Sequence, residues 1–275
     1  MHLPDIWHQF DSIVRSSDEE IDLARTALLI AATEYPSLNV ERELYRIGLL
    51  ADGVAHQIYD DPSPLYHLNT LSDYLFDELG FRGNYDDYYD PKNSFLNDVL
   101  ERRLGIPITL SLLYIEVGRS LGIPLQGVGM PGHFLVRHAE VDDMFIDPYQ
   151  NGILLTAAEC EVKFTQLTHK RLAWDESYLD PISSREFVAR MLRNLKSIYL
   201  QRRDYERVLS TIDRLLSIQP DAPDELRDRG VVNYRLGNHE EALEDLKTYV
   251  TNAGSPGDAG TVHRLIDQIQ DILGD

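Results

Sequence analysis

The sequence predicts an α+β protein with a mainly helical N-terminal region, a small antiparallel sheet and an all-helical C-terminal part. Three observations support this prediction. Apolar residues recur at helical spacing as far as Gly80. Two short apolar segments flank a polar turn at residues 140–143, as in a β-hairpin. The C-terminal third is similar to itself at a shift of 34 residues, a period typical of paired-helix repeats.

The composition narrows the classes of function. The chain has 275 residues, enough for two domains of ordinary size. It carries 26 Lys and Arg against 46 Asp and Glu, a formal charge of −20. Because that charge repels phosphate, we expect neither nucleic acid nor a membrane as a partner. The lone cysteine, Cys160, excludes an intramolecular disulfide, and no secretory signal or membrane-length apolar run is visible, so we expect a cytoplasmic location.

The N-terminal region is predicted to contain three helices. Ser17 and Glu20 have the spacing of a capping box, in which each side chain bonds the other residue's backbone N–H, and they predict a helix over residues 17–35. Apolar stripes predict a second helix over 40–58 and a third over 63–80, with Gly80 as its C-terminal cap.

A loop rich in tyrosine follows at residues 83–91, here called the tyrosine loop. Its carboxylates Asp86, Asp87 and Asp90 allow a metal site as an alternative interpretation. The segment lacks the glycine and the terminal glutamate of a calcium-binding loop, so we expect packed tyrosines and no metal.

Two more helices and a hairpin complete the central region. The helices are predicted over 94–104 and 107–121, and the second is apolar nearly all round, as expected of a buried helix. Strands are predicted over 125–130, 133–137 and 144–147. If Arg137 pairs with Asp143, His133 lies opposite Asp147 and both side chains project from the same face.

The C-terminal third is predicted to form tetratricopeptide repeats. At the shift of 34 residues, Asp204 meets Asn238 and Leu209 meets Leu243. Gly230 is predicted to lie where two helices touch. A turn at residues 254–257 ends the array, and an amphipathic helix from Val262 to Ile272 follows as a cap.

Three segments carry a family resemblance, namely residues 93–112, residues 127–136 and the pair Asp147-Pro148. With the order of the predicted elements, they resemble the SirB-type branch of the transglutaminase-like superfamily, joined to tetratricopeptide repeats. The resemblance implies a papain-like core over residues 93–182, preceded by a helical part over 1–92 and followed by repeats over 183–275.

The resemblance also implies a catalytic arrangement with its nucleophile missing. Active members of the superfamily use a cysteine at the start of a buried helix, a histidine and an acidic partner. His133 and Asp147 match the last two, but the position expected for the cysteine holds Pro107. Ser111 is the third residue of the remnant triad, and the hydroxyl of Thr109 is the alternative. Cys160 follows the histidine and aspartate, between two glutamates that disfavour a thiolate.

The same motifs supply candidate binding residues for a cleft near His133. Four candidates lie on the helix predicted over 94–104 or directly before it, namely Asn93, Asn97, Glu101 and Arg102. Three lie in the segment of the histidine, namely Pro131, Gly132 and Phe134. No cofactor is expected.

Two functions remain open at this point. The favoured interpretation is a non-catalytic adaptor or regulatory protein that binds a protein or peptide through the cleft and the repeats. The alternative is a cysteine-independent hydrolase or acyltransferase that uses His133 and Asp147 on amides or esters. An enzyme would need a hydroxyl within about 3 Å of the imidazole, or one water away. The sequence leaves the oligomeric state open.

Overall fold

A computed structural model describes residues 3–58, 63–253 and 259–274. The chain divides into two compact units, Met1–Met191 and Leu192–Asp275. Within the described residues, no helix has the length and apolar character that crossing a membrane requires.

The first unit is built mainly from helices. They are α1 (Leu3–Val14), α2 (Leu23–Ala32), α3 (Val40–Ala55), α4 (Pro64–Ser72), α5 (Leu96–Arg102), α6 (Pro107–Ser120) and α7 (Ala157–Leu167), and α8 (Ser184–Arg202) begins in this unit. A π-helix at Asp73–Glu78 continues α4, and Gly80 follows with a left-handed φ of 75°, as predicted for a cap.

The N-terminal helices differ from the prediction in two places. Ser17 and Glu20 form their capping box around a single 3₁₀ turn, and the α-helix begins only at Leu23. The reason is a stronger cap at Asp22, whose carboxylate accepts the backbone N–H of Arg25 at 2.9 Å. Helix α1 was not predicted, because no capping pattern marks its start.

The described residues include six short strands, which form two sheets. They are β1 (Arg82–Gly83), β2 (Leu104–Gly105), β3 (Leu125–Val128), β4 (Leu135–His138), β5 (Phe145–Asp147) and β6 (Ile153–Leu155). β1 and β2 form a parallel pair, and the other four form an antiparallel sheet in chain order. The α+β class is thereby confirmed, although β6 and α7 were not predicted.

The predicted hairpin register is wrong by two residues. Arg137 pairs with Phe145, and not with Asp143. Asp143 belongs to the turn, because it has a φ of 52° and its carboxylate accepts the backbone N–H of Ala157 at 2.6 Å. His133 consequently lies just before β4 and is diagonal to Asp147 at the end of β5.

The four-stranded sheet has an apolar cluster on each face. Phe134, Val136 and Ile146 join the main core, which also contains most of α6. The other face packs Leu135 and Phe145 against α7. Helix α6 is buried from Pro107 to Gly118 and contacts β3 and β4.

The second unit contains α9 (Tyr205–Ile218), α10 (Pro223–Leu236), α11 (His239–Ala253) and α12 (Ala259–Leu273). α9 and α11 begin 34 residues apart, directly after the aligned residues Asp204 and Asn238, and α10 packs against both. α12 packs on α11 through Val262, Ile266 and Ile269, whereas Ile272 is exposed. The turn predicted at 254–257 lies outside the described residues.

Candidate functional site around His133

His133 and Asp147 form the contact that the resemblance implies. His133 follows a turn at Gly132, whose φ is 81°, and its own N–H donates to Met130 O at 3.0 Å. Its ring Nε2 lies 2.8 Å from Asp147 Oδ2. The histidine is 8% exposed and the aspartate is fully buried. The pair forms despite the shifted register, because diagonal neighbours remain within reach of a long side chain.

Asp147 is also bound by a lysine. Lys163 on α7 places Nζ 2.6 Å from Asp147 Oδ2 and 2.7 Å from Gln150 Oε1. The other carboxylate oxygen accepts the backbone N–H groups of Tyr149 at 3.1 Å and Gln150 at 3.3 Å, so Asp147 caps the 3₁₀ turn Pro148–Gln150. The carboxylate therefore receives four donors.

Sequence reasoning missed Lys163 because it missed α7. A signal was present, since Thr156 and Glu159 have the spacing of a capping box. In the structure Thr156 N donates to Glu159 Oε2 at 2.8 Å, and Glu159 N donates to Thr156 Oγ1 at 3.3 Å. A helix opened at this box carries Lys163 one turn beyond Glu159.

The charge of Asp147 is divided between two partners. Burial by itself would raise the pKa of Asp147, but the hydrogen bonds and charges of His133 and Lys163 outweigh it and hold the pKa below its ordinary value. The carboxylate is thus ionised at neutral pH. Asp147 Oδ2 is therefore bound by Lys163 as well as by the imidazole of His133.

The two candidate hydroxyls are used or enclosed elsewhere. Thr109 Oγ1 donates to Asn93 O at 2.8 Å and accepts the N–H of Ile106 at 3.1 Å, which closes the N-terminus of α6. Ser111 is fully buried, and its Oγ has no hydrogen-bond partner among the described residues. Within the described part of the chain, Asp147 is the hydrogen-bond partner of the His133 ring, and Nδ1 has none.

Pro107 is the first residue of α6 and is buried. Proline suits this position because the N–H it lacks would have no partner inside the helix. α6 contacts β4 and the turn Pro148–Gln150. Two residues after Pro107, Thr109 donates to the carbonyl of Asn93, whose side chain holds the tyrosine loop. The side chain of Pro107 offers neither a nucleophile nor a proton donor.

Asn93 holds the tyrosine loop in place. The residue is fully buried. Its Nδ2 donates to Asp87 O at 2.7 Å and to Tyr88 O at 3.2 Å, and its Oδ1 accepts from Asn84 Nδ2 at 3.0 Å. Its backbone carbonyl receives the hydroxyl of Thr109. Asn93 thereby joins the start of α6 to the tyrosine loop, and its amide is already fully used.

The remaining candidates on α5 lie in different environments. Arg102 pairs with Asp90 of the tyrosine loop at 2.9 Å. Asn97 Oδ1 is buried without a hydrogen-bond partner in the described structure. Glu101 is 75% exposed at its side chain and lies 3.3 Å from Arg46. The described residues contain no group of three or more His, Cys, Asp or Glu that could hold a metal ion.

Tyrosines border the imidazole. The ring of Tyr149 lies 6.0 Å from the ring of His133, 4.7 Å from Tyr85 and 6.2 Å from Tyr88, measured between centroids. The hydroxyl of Tyr85 donates to Tyr149 O at 2.8 Å. Tyr85, Tyr88 and Tyr89 are all exposed. The tyrosine loop therefore presents an aromatic rim beside His133.

The histidine segment is anchored by Arg190. Its guanidinium donates to the carbonyl oxygens of Gly129, Met130 and His133, the last at 3.1 Å. It also lies over the ring of Phe134, at 5.5 Å from the centroid. Phe134 is buried in the core, whereas Pro131 is half-buried and Gly132 is exposed on the turn. Of the three residues predicted for binding here, the two on the turn are open to solvent.

Cys160 is buried against the far face of the sheet. Burial raises the pKa of its thiol to about 12, and the charge of Asp147 acts in the same direction. The raised pKa of Cys160 agrees in direction with the prediction from the neighbouring glutamates. Its main cause, however, is burial, and Glu159 contributes less.

Comparison with known proteins identifies the family. The model of the transglutaminase-like superfamily matches residues 41–193. The chain belongs to the transglutaminase-like superfamily. A tetratricopeptide-repeat model matches residues 195–267 of this transglutaminase-like protein. Both parts of the predicted resemblance are confirmed.

The relatives fall into two groups. A UPF0162 protein of Xylella fastidiosa is 38% identical over 250 residues, which are 89% of this chain and 88% of that protein. A UPF0162 protein of Vibrio cholerae is 29% identical over 178 residues, covering 64% and 66% of the two chains. F-box only protein 21 of Pongo abelii is 31% identical over 211 residues, which are 72% of this chain but 33% of that protein.

Proposed function

We propose that this transglutaminase-like protein is an adaptor whose core is non-catalytic and binds a protein segment beside the tyrosine loop, while the repeats provide a second binding surface. The proposal is supported by the residues at the positions that the resemblance assigns to catalysis. Pro107 begins α6, where the resemblance expects the nucleophile, and Asp147 is bound by both His133 and Lys163.

Three further features support a binding role. The tyrosine loop is held by the buried Asn93 and by the Arg102–Asp90 ion pair, so its exposed rings are preorganised. Exposed tyrosines supply contact area at a low cost in conformational entropy. Tetratricopeptide repeats generally mediate contacts between proteins, and this chain has a family match to them.

One observation favours a second candidate function, a hydrolase or acyltransferase on amides or esters. The Nδ1 atom of His133 makes no hydrogen bond to the described residues, so a water molecule could be held and activated there. This function needs water to take the place of the missing thiol.

A hydrolysis screen separates the two functions. Wild-type protein, His133→Ala and His56→Ala are incubated with panels of amide and ester substrates, His56 being exposed on the surface near the end of α3. We expect the three proteins to show the same background. Turnover that is lost in His133→Ala and retained in His56→Ala would overturn the non-catalytic assignment.

Site-specific photocrosslinking tests the binding role. A photoreactive amino acid replaces Tyr89 at the aromatic rim or, as a control, Tyr45 on α3, which is 68% exposed. In the full chain within cells, we expect protein adducts from position 89 and none above background from position 45. Equal yields at the two positions, or no adduct at 89, would contradict cleft binding.

A further inference from the structure

The repeats contain a cavity of about 350 Å³ between α9, α10 and α11. Its walls carry four carboxylates, from Asp213 on α9 and from Glu241, Glu244 and Asp245 on α11. One cation, Arg229 on α10, also lines it. The charged side chains of the cavity wall thus sum to three negative charges.

Arg229 forms ion pairs with two of these carboxylates. Its Nε and Nη2 form a double contact with Asp245 at 2.8 and 2.7 Å, and its Nη1 reaches Asp213 at 3.1 Å. Bidentate guanidinium–carboxylate contacts are the strong ones. The cation therefore fixes the wall of the cavity, and its single positive charge is already shared between Asp245 and Asp213.

Glu241 and Glu244 face the cavity without a cation. Both are exposed on α11, three residues apart and on one side of the helix. Neither forms an ion pair with the described residues. A helix dipole alone would explain an acid in the first turn of α11. It would not explain a second acid one turn further that points at the same cavity.

An amide group completes the site. Asn233 on α10 is 95% buried, since 5% of its surface is exposed, and it lines the cavity. Its Oδ1 accepts from Asn238 Nδ2 at 3.1 Å, which orients the amide. Its own Nδ2 makes no hydrogen bond to the described residues. A donor on an oriented, mostly buried side chain at a cavity wall is suited to an acceptor from a ligand.

We propose that this cavity binds a Lys or Arg side chain of an extended protein segment. The cationic group lies between the carboxylates of Glu241 and Glu244, and Asn233 Nδ2 donates to a backbone carbonyl of the segment. The carbonyl acceptor and the cation together favour a peptide over a free cation. The proposal rests on the adaptor function, for which it names the chemistry of the partner.

The binding test uses the full chain and defined probes. Degenerate fluorescent octapeptides with Arg or Lys fixed at the fourth position are titrated and followed by anisotropy. Matched octapeptides carry Glu or Gln at that position, and spermidine competes as a free cation. We expect saturable binding of the Arg and Lys peptides, with little competition from spermidine. Binding of the Glu peptides at equal affinity would overturn the basic partner and leave the adaptor function intact.

A pair of double variants locates the site. Glu241→Gln with Glu244→Gln removes the two free carboxylates. Glu206→Gln with Glu240→Gln removes the same charge from exposed positions of the same unit that do not line the cavity. We expect the first double variant to weaken binding about tenfold or more, and the second less than about twofold.

Three outcomes contradict the proposal. Equal weakening by the two double variants would show general charge attraction. Spermidine that displaces the peptides and depends on the same glutamates would show a small-cation site. No binding of the Arg or Lys peptides would exclude the site. Because crosslinking at Tyr89 does not involve the cavity, the adaptor function can stand or fall separately.

Discussion

Adding a side chain at Gly230 is expected to destabilise the repeats. A Cβ at this position would lie 2.7 Å from Leu246 Cγ and 3.2 Å from the backbone oxygen of Ala242. Favourable carbon contacts are about 3.5–4.0 Å long, so α10 and α11 must separate by roughly 1 Å, or the fully buried Leu246 must leave its rotamer. This close approach is what the predicted repeat register requires of Gly230.

The size of the effect follows from two opposing contributions. Overpacking a buried contact costs about 1–3 kcal/mol. Replacing glycine by alanine inside a helix returns up to about 1 kcal/mol. We therefore expect Gly230→Ala to lower the free energy of unfolding by about 1 kcal/mol. Gly230→Leu adds three further carbons, and we expect a loss of more than about 2 kcal/mol.

Urea titration can assign the loss to the repeats. Both tryptophans, Trp7 and Trp174, lie in the first unit, so fluorescence reports that unit and circular dichroism at 222 nm reports both. We expect Gly230→Leu to lower the midpoint at 222 nm more than the fluorescence midpoint. The control is Gly48→Ala in α3, where a Cβ meets nothing within 4 Å, and it should be neutral or stabilising. If Gly230→Leu unfolds at the same urea concentrations as wild type by both signals, the packing argument is refuted.

Three further predictions concern the first unit. Asn93→Ala should lower the free energy of unfolding by about 2–4 kcal/mol, since it leaves buried groups of the tyrosine loop without hydrogen bonds. Replacement of the exposed Asn69 by alanine should leave the free energy of unfolding unchanged. Urea titration followed by fluorescence measures both variants. Burial raises the pKa of Glu116 above its ordinary 4.5, so its contribution to stability is present below pH 4.5 and is lost as the pH rises through the folded-state pKa. The free energy of unfolding of Glu116→Gln, measured relative to wild type by urea titration, should therefore rise between pH 4.5 and 7. A difference between the two proteins that does not change with pH would contradict this. Cys160, with a pKa of about 12, should react with Ellman's reagent at pH 8 only as fast as the protein opens, so rapid labelling of the folded protein would be inconsistent with its burial.

The parts of the fold that depend on local pattern could be predicted from the sequence. The buried helix α6 and the repeat helices α9 and α11 follow from periodicity, which a sequence displays directly. The hairpin register could not be fixed in this way. It depends on Asp143, which leaves the strand for a turn stabilised by a contact with the later helix α7.

The candidate site could also be predicted only where it depends on local sequence pattern. The contact between His133 and Asp147 could be predicted because both residues lie in segments with recognisable sequence patterns. Pro107 lies at the start of α6, as its distance from Gly122 in the sequence predicted. Lys163 depends on how α7 packs against the sheet, which is a tertiary property. Asn93 has the residue type of a ligand-binding group, but its burial and its three side-chain hydrogen bonds show a loop anchor.

The most direct test of the proposed non-catalytic core places a thiol at position 107, where the resemblance expects the cysteine. Pro107→Cys, made with Cys160→Ala to remove the native thiol, places sulfur at the first position of α6. A helix N-terminus and a nearby protonated histidine both lower a thiol pKa from its usual value of about 8.5. The pH dependence of alkylation by iodoacetamide measures that pKa. We predict a value below about 8.5 that rises when His133→Ala is added; an unshifted pKa that His133→Ala does not change would contradict the assignment of Pro107 to the nucleophile position.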